Sequence, residues 1–400
     1  MCKRAHPYSH TGYFLDGHAN PDHPVHRTNR RGFLHMLGGA MAGASLLEMG
    51  FFRATVARAQ SQAASQNLFD IEKVADGVYA ALAHPAVITN CNAAIFVNSD
   101  HVVVVDAHSK PSAAASLIAQ IKREVTNKPV RYLVNSHFHY DHTQGDPAYK
   151  KQGVKIISSE TTKRLIQEHA RNRLKASVDG TAPMLDGLRA RLAKATSAAD
   201  RAWCNDQIRQ LEAYVAEMKT YTPELPDITF EKTHVLKDSA QELHIEFRGR
   251  AHTASDIVVL SPQRRVVATG DMIGGFLPAM GDGYPREWPA SIDSVGQMGA
   301  DSIIAGHGPV NRNHERRIQL RNYIEELTGV VATGKRAGKT IADLQKAITV
   351  PSLKSMQANG YSKYVSDNLA KFSVFLGTGS ALEDRLKGNV DAIYKNLDKA

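Results

Sequence analysis

Short unbroken runs of apolar and β-branched residues, not helical stripes, set the rhythm of the middle of this chain. Residues 93–97, 101–106, 130–135, 154–157, 226–230, 234–236, 243–247, 257–260, 266–269 and 302–305 all read as strands on this pattern. Asn98-Ser99-Asp100 supplies a turn between two of them, and Asp76-Gly77 marks a hairpin within 71–82. In 243–247, His244 and Glu246 alternate with apolar neighbours and are expected to face solvent. Helical spacing appears in separate blocks. Leu117, Ile118, Ile121 and Val125 share one face of 111–125. Leu185, Leu188 and Leu192, then Ile208, Leu211, Val215 and Met218, predict two helices with a break near 195–200. Tyr323, Ile324 and Leu327 begin a helical pattern that fills the chain after Glu315.

The strand runs therefore fall into two groups, each with helices. Residues 159–222 read as an amphipathic hairpin packed on the core, with a lid over a site or a dimer contact as the functional alternatives. Residues 315–400 read as a helical C-terminal extension, either a cap or a homodimer surface.

A chain of 400 residues with 42% hydrophobic content can bury a sizeable core. The formal charge of +9 is partly a property of the first 59 residues, which carry seven Lys/Arg and three acids; the remainder holds 42 basic and 37 acidic residues, a net +5. No basic block is interleaved with aromatics, so nucleic acid is not implied. Asn29-Arg30-Arg31-Gly32-Phe33-Leu34 resembles a twin-arginine export motif. An uncharged run at 36–47 and Ala57-Arg58-Ala59, a small-x-small cleavage site, follow in the order of a signal peptide. The expectation is a leader at 1–59, removed on export of the folded chain to the periplasm by the twin-arginine machinery. Its five histidines before Arg27 are left out of the fold. No later run is long enough for a membrane span. Cys91 and Cys204 remain, room for one disulfide at most.

The chemistry gathers at Ser136-His137-Phe138-His139-Tyr140-Asp141-His142, where three histidines and an aspartate fall within six residues just after a strand. Imidazole and carboxylate are ligands of zinc-like ions, and a loop lets them converge. His137 and His139 point to one side of an extended segment and suit one ion; Asp141 and His142 can turn toward a second.

This stretch resembles the metal-binding signature of the metallo-β-lactamase-fold hydrolases, which include zinc β-lactamases, glyoxalase II, lactonases and arylsulfatases. Further motifs follow in the family's order: Gly249-Arg250-Ala251-His252-Thr253, Thr269-Gly270-Asp271 and Gly306-His307-Gly308. The resemblance covers roughly residues 70–310 and implies an α+β fold: a four-layer αββα sandwich of two mostly antiparallel sheets, catalytic over 60–314. It implies that His137, His139 and His252 hold one Zn2+, that Asp141, His142 and His307 hold a second, and that Asp271 bridges them, although iron or manganese suits the same donors. It also implies that Asp106 supports the metal loops from behind, with His108 structural, and that a metal-bound hydroxide oriented by Asp141 attacks the substrate. Zinc β-lactamases of one subclass carry a cysteine among the ligands of the second ion, and another subclass lacks the bridging Asp. Asp271 thus leans this chain toward ester, lactone or thioester cleavage of a small molecule. β-Lactam hydrolysis and an iron-dependent oxidoreductase of the same fold stand as alternatives. The glycine-rich run 274–288 is expected to line the pocket, where Phe276 and Trp288 either hold an apolar group or simply pack.

Overall fold

Twelve strands form two sheets in the computed structural model, which describes residues 68–84, 91–372 and 381–399. The leader at 1–59 lies outside the described residues. The first sheet carries β1 (Phe69–Ala75), β2 (Val78–Ala83), β3 (Ala93–Val97), β4 (Val102–Val105), β5 (Val130–Val134), β6 (Lys155–Ser159) and β7 (Ile228–Phe230) in sequential order. The second carries β8 (Thr233–Leu236), β9 (Leu243–Phe247), β10 (Ile257–Ser261), β11 (Val266–Gly270) and β12 (Ser302–Ala305), again with each strand beside the next.

The expectation of mostly antiparallel sheets needs refinement. In the first sheet the pairings β1–β2, β2–β3 and β3–β4 are antiparallel, but β4–β5, β5–β6 and β6–β7 are parallel; β11–β12 is parallel too. The reason is connectivity. A parallel pair needs a crossover, and each of these pairs is joined through helix. Helix α1 (Pro111–Glu124) links β4 to β5. The short α2 (Tyr140–Thr143) and α3 (Asp146–Lys150) link β5 to β6. The hairpin α4 (Glu160–Lys194) and α5 (Ala198–Met218) links β6 to β7, and α6 (Trp288–Gly296) links β11 to β12. The rest of the chain folds as α7 (Glu315–Arg336), α8 (Ile341–Ala347), α9 (Lys354–Gln357), α10 (Tyr361–Phe372) and α11 (Ala381–Asn396).

Unbroken apolar strands are those covered on both faces. In β4, Val103 and Val105 enter the core between the sheets, whereas Val102 and Val104 enter the core beneath Leu117 and Ile121 of α1. In β10, Ile257 and Val259 face the first sheet, while Val258 and Leu260 meet Trp288 and Ile292 of α6 and Tyr323, Ile324 and Leu327 of α7. Helices thus cover both outer faces, giving the αββα layering. The C-terminal helices share the outer core of the second sheet through Val365, Leu386, Val390 and Ile393. His244 and Glu246 are partly exposed, as their alternation requires.

The insertion is a hairpin with the expected break. Ser197 begins α5 by accepting from the Asp200 backbone N–H, an ordinary helix N-cap. Its distal half has an apolar seam of its own: Leu188, Trp203, Cys204 and Leu211, with Leu185, Leu192 and Ile208 against them. Its base is tied to the core. Tyr214 donates to Gln144 Oε1 at 3.1 Å, and Glu217 accepts from the backbone N–H and hydroxyl of Ser112 at 2.6 and 2.7 Å. Cys91 and Cys204 are buried free thiols. No helix among the described residues is long and apolar enough to cross a membrane.

Candidate metal centre

The seven residues that carry the motifs all stand beyond strand ends on one edge of the sandwich. His137, His139, Asp141 and His142 follow β5. His252 lies in the loop after β9, Asp271 directly follows β11, and His307 follows β12. Three backbone contacts tie these loops together: Ile257 N–H to Ser136 O at 2.9 Å joins the two sheets, and Gly306 N–H to Gly270 O at 2.8 Å and Gly275 N–H to His307 O at 2.9 Å join the loops after β11 and β12.

The donors fall into two sets. His137 Nε2 and His252 Nε2 each lie 3.0 Å from His139 Nδ1, so three ring nitrogens converge on one point. Asp141 Oδ2 lies 3.4 Å from His142 Nε2 and 3.2 Å from His307 Nε2. Asp271 stands between the sets. Its Oδ2 is 3.4 Å from His252 Nε2 and 3.3 Å from His307 Nε2, and its Oδ1 is 3.4 Å from His142 Nε2. All seven side chains are buried or nearly so.

Asp106 directly follows β4 and lies in the left-handed region, at φ 69°, a conformation that Asp tolerates better than most residues. Its Oδ2 accepts from His142 Nδ1 at 2.8 Å and from Ser136 Oγ at 2.9 Å, and its Oδ1 accepts from the Ser136 N–H at 2.8 Å. A carboxylate offers no donor, so His142 carries a proton on Nδ1, and Nε2 is the ring atom left to face a ligand. Ser136 has its one proton on Asp106. It therefore accepts from His137 Nδ1 at 3.0 Å, which bares His137 Nε2 in turn. One aspartate thus sets the tautomer of two ligands.

The electrostatics divide the same way. Burial holds His137 and His139 below the usual histidine range and pushes His252 down to about 3, so these rings are neutral donors. Burial acts on His307 likewise, but Asp271 and Asp141 overcome it and raise the ring to about 10; His142 is raised by Asp141 and Asp106 against the same burial. The Asp141 and Asp271 carboxyls lie below the ordinary range: burial opposes this, and the facing histidines outweigh it. The second set is a buried concentration of negative charge, which calls for positive charge. His142 Nε2 and Asp271 Oδ1 are buried without a formed hydrogen bond among the described residues, as ligand atoms awaiting a cation would be. The donor set therefore fits metal ions of the zinc type.

Glycine is required at two positions here. A Cβ at Gly270, which adopts φ 50°, would lie 2.2 Å from Ser136 Oγ, and one at Gly306 would lie 2.1 Å from Asp271 Oδ1. His252 is steadied by Asp256, whose carboxylate accepts from the N–H and hydroxyl of Thr253 at 2.7 and 3.0 Å. His108 is structural: it stacks on Phe69 at 4.4 Å, bonds the Cys91 carbonyl at 3.0 Å, and is held at about 3 by burial. Trp288 packs into the outer core of the second sheet, its ring 5.5 Å from that of His252. It is fully buried and donates to Met272 O at 2.8 Å. Phe276 is only partly buried, with its ring 5.5 Å from that of His307. A further group, Asp100, His101 and Asp238, is occupied in joining turns: Asp238 accepts from Ser99 and Ala240, and His101 pairs with Asp100 at 2.6 Å.

Two contributors carry no motif. Asn92 donates to the carbonyls of Ala305 and Gly308 at 3.0 and 2.7 Å and so ties the β2–β3 connection to the His307 loop. Asp282 lies 3.0 Å from His139 Nε2. Asparagines and aspartates in loops are too common for either to be singled out by spacing.

Residues 87–307, more than half of the chain and including all seven ligand candidates, match the family model described as the metallo-beta-lactamase superfamily. Among solved structures, the chain is similar to a metallo-beta-lactamase from Pontibacter korlensis. The identity is 20% and the TM-score 0.46, over 63% of this chain and 97% of that one.

Proposed function

The chain belongs to the metallo-beta-lactamase superfamily, whose members are generally metal-dependent hydrolases, and from that premise we propose that it is an exported dinuclear zinc hydrolase cleaving an ester, lactone, thioester or related bond of a small molecule. The observation that carries the reading is the place of Asp271, one carboxylate in reach of both histidine sets. In this reading His137, His139 and His252 hold the first ion, Asp141, His142 and His307 the second, and Asp271 both. Bound there, the ions would supply Lewis acidity to the scissile group and bring the pKa of water from about 15.7 toward about 7. Asp141 stays ionised at neutral pH and can accept a hydrogen bond from the attacking water, fixing its direction. Phe276, beside His307, offers apolar surface for the acyl or leaving group. No serine or cysteine nucleophile is required, and Cys91 is buried with its thiol pushed up. A bridging carboxylate at 271 supports ester and lactone chemistry over β-lactams.

Metal analysis of the exported protein, with a panel of ester, lactone, thioester, sulfate-ester and β-lactam substrates, tests this. Two zincs, a colourless protein and turnover of one of the first four classes are expected. Tightly bound iron with visible absorbance would overturn it in favour of redox chemistry, and turnover confined to β-lactams would overturn the substrate class. Export is tested separately: Arg30→Lys with Arg31→Lys should leave precursor in the cytoplasm, and normal processing near Gln60 would remove the twin-arginine reading.

A further inference from the structure

The helical insertion and the C-terminal segment meet at Asp282, in the connection between β11 and α6. Arg173 of α4 donates from Nη2 to both carboxylate oxygens, at 2.9 and 2.8 Å. Lys399 Nζ donates to the Asp282 backbone carbonyl at 2.8 Å. The two preceding carbonyls, of Met280 and Gly281, accept from Asn396 Nδ2 at 3.1 and 2.8 Å, and Arg286 Nε donates to Leu397 O at 2.8 Å. Arg173 is itself buried, its guanidinium 4.7 Å above the ring of Phe138, the residue between His137 and His139. So the loop carrying Asp282 is pinned from two directions by segments outside the sandwich.

What is pinned faces a ligand. Asp282 Oδ2 lies 3.0 Å from His139 Nε2, while His139 Nδ1 is the atom on which His137 and His252 converge. An ionised carboxylate can only accept, so this contact places the imidazole proton on Nε2 and leaves Nδ1 bare. It also fixes the plane of the ring. Neither Asp106 nor Ser136 reaches this ring with a hydrogen bond; their bonds go to His142 and His137.

We propose that Asp282 is a positioning residue for His139, held in place by Arg173 and Lys399, through which the insertion and the C-terminal segment set the affinity of the first metal position. The proposal rests on the two-metal reading of the site. A carboxylate behind a metal-bound histidine commonly contributes about 10–100-fold in metal affinity. The paired contacts from Arg173 Nη2 to both carboxylate oxygens aim that group at His139.

The test is zinc and cobalt titration of the purified full chain against a chromophoric chelator, resolving the tighter and weaker ions, with nitrogen NMR of the histidine rings in metal-free protein. Asp282→Ala is expected to weaken the ion held by His137, His139 and His252 about 10–100-fold and leave the other near wild type. Arg173→Met should act in the same direction, and Arg173→Lys should recover part of the loss. Lys399→Ala should shift the same ion least. In the wild type, the His139 proton should sit on Nε2. A His139 proton found on Nδ1 overturns the proposal whether or not any variant folds. An Asp282→Ala protein that binds the first ion as tightly as wild type, however much its melting point falls, overturns the proposal alone. A wild-type chain that takes up no divalent ion overturns the two-metal reading and this proposal together.

Discussion

The strand-end edge and the helical hairpin α4–α5 bury side chains on opposite principles. At the edge, buried polar groups serve one another behind the ligand atoms: Asp106 serves His142 and Ser136, and Ser136 serves His137. In the distal hairpin the seam is mainly apolar or aromatic, although Gln207 is buried there too, and the Arg189–Glu212 ion pair lies outside it at 2.8 Å. The difference teaches where damage should appear. A lesion at the edge propagates through hydrogen bonds to ligand atoms and costs function first. A lesion in the distal hairpin removes area and costs stability alone.

Asp271→Ala should have the largest effect. It removes a carboxylate in contact with both sets, while His137, His139 and His252 remain. Metal content near one equivalent at modest free zinc and a loss of activity of at least about a hundredfold are expected, by elemental analysis and steady-state kinetics. Two tightly held zincs and full turnover would reduce Asp271 to a turn residue and break the comparison at its centre.

Asp106→Ala comes next. It strips partners from His142 Nδ1, the Ser136 N–H and the Ser136 hydroxyl, all buried. Each orphaned donor costs roughly 1–3 kcal/mol, so both chemical denaturation and metal titration should register the change. Loss of stability with unchanged metal affinity would show that edge and hairpin respond alike.

Trp203→Ala sharpens the contrast from the other side. Trp203 is buried beneath Arg191, 4.5 Å from the guanidinium. Its truncation should cost about 3–5 kcal/mol of hairpin stability, read by denaturation or limited proteolysis, with both metal positions unaltered. Weakened metal binding would mean that the distal hairpin is coupled to the site. The smallest effect is expected for Glu212→Ala. Its pair with Arg189 is half exposed, and such pairs contribute about 0–1 kcal/mol.

The same contrast explains what could be read from the chain. The strands were legible because covered strands must be apolar on both faces, as 102–105 and 257–260 are, whereas the sandwich they build was implied by the family resemblance. The seven ligand candidates were legible because few other functions gather histidines at this density in a fixed order. The parallel pairings follow once the helices between strands are counted. Asp282, Arg173 and Asn92 were not legible. Their partners lie 109 and 143 residues away for Asp282, and 213 and 216 for Asn92. No local period records such meetings. The two readings of Trp288 could not be separated, because an aromatic residue after a glycine-rich run looks the same whether it lines a cleft or plugs a core.

Neither sheet owns a complete set of donors. The first supplies His137, His139, Asp141 and His142, and the second supplies His252, Asp271 and His307. Each proposed ion is therefore a rivet driven through both halves of the sandwich. A chain in which the sheets have not yet docked has no full coordination shell to offer. Once captured, the ions resist separation of the halves: at a free concentration a hundred times Kd, one ion adds about 2.7 kcal/mol against unfolding. Melting temperature should accordingly climb with metal and fall with chelator, and the rate of unfolding should respond in the opposite sense.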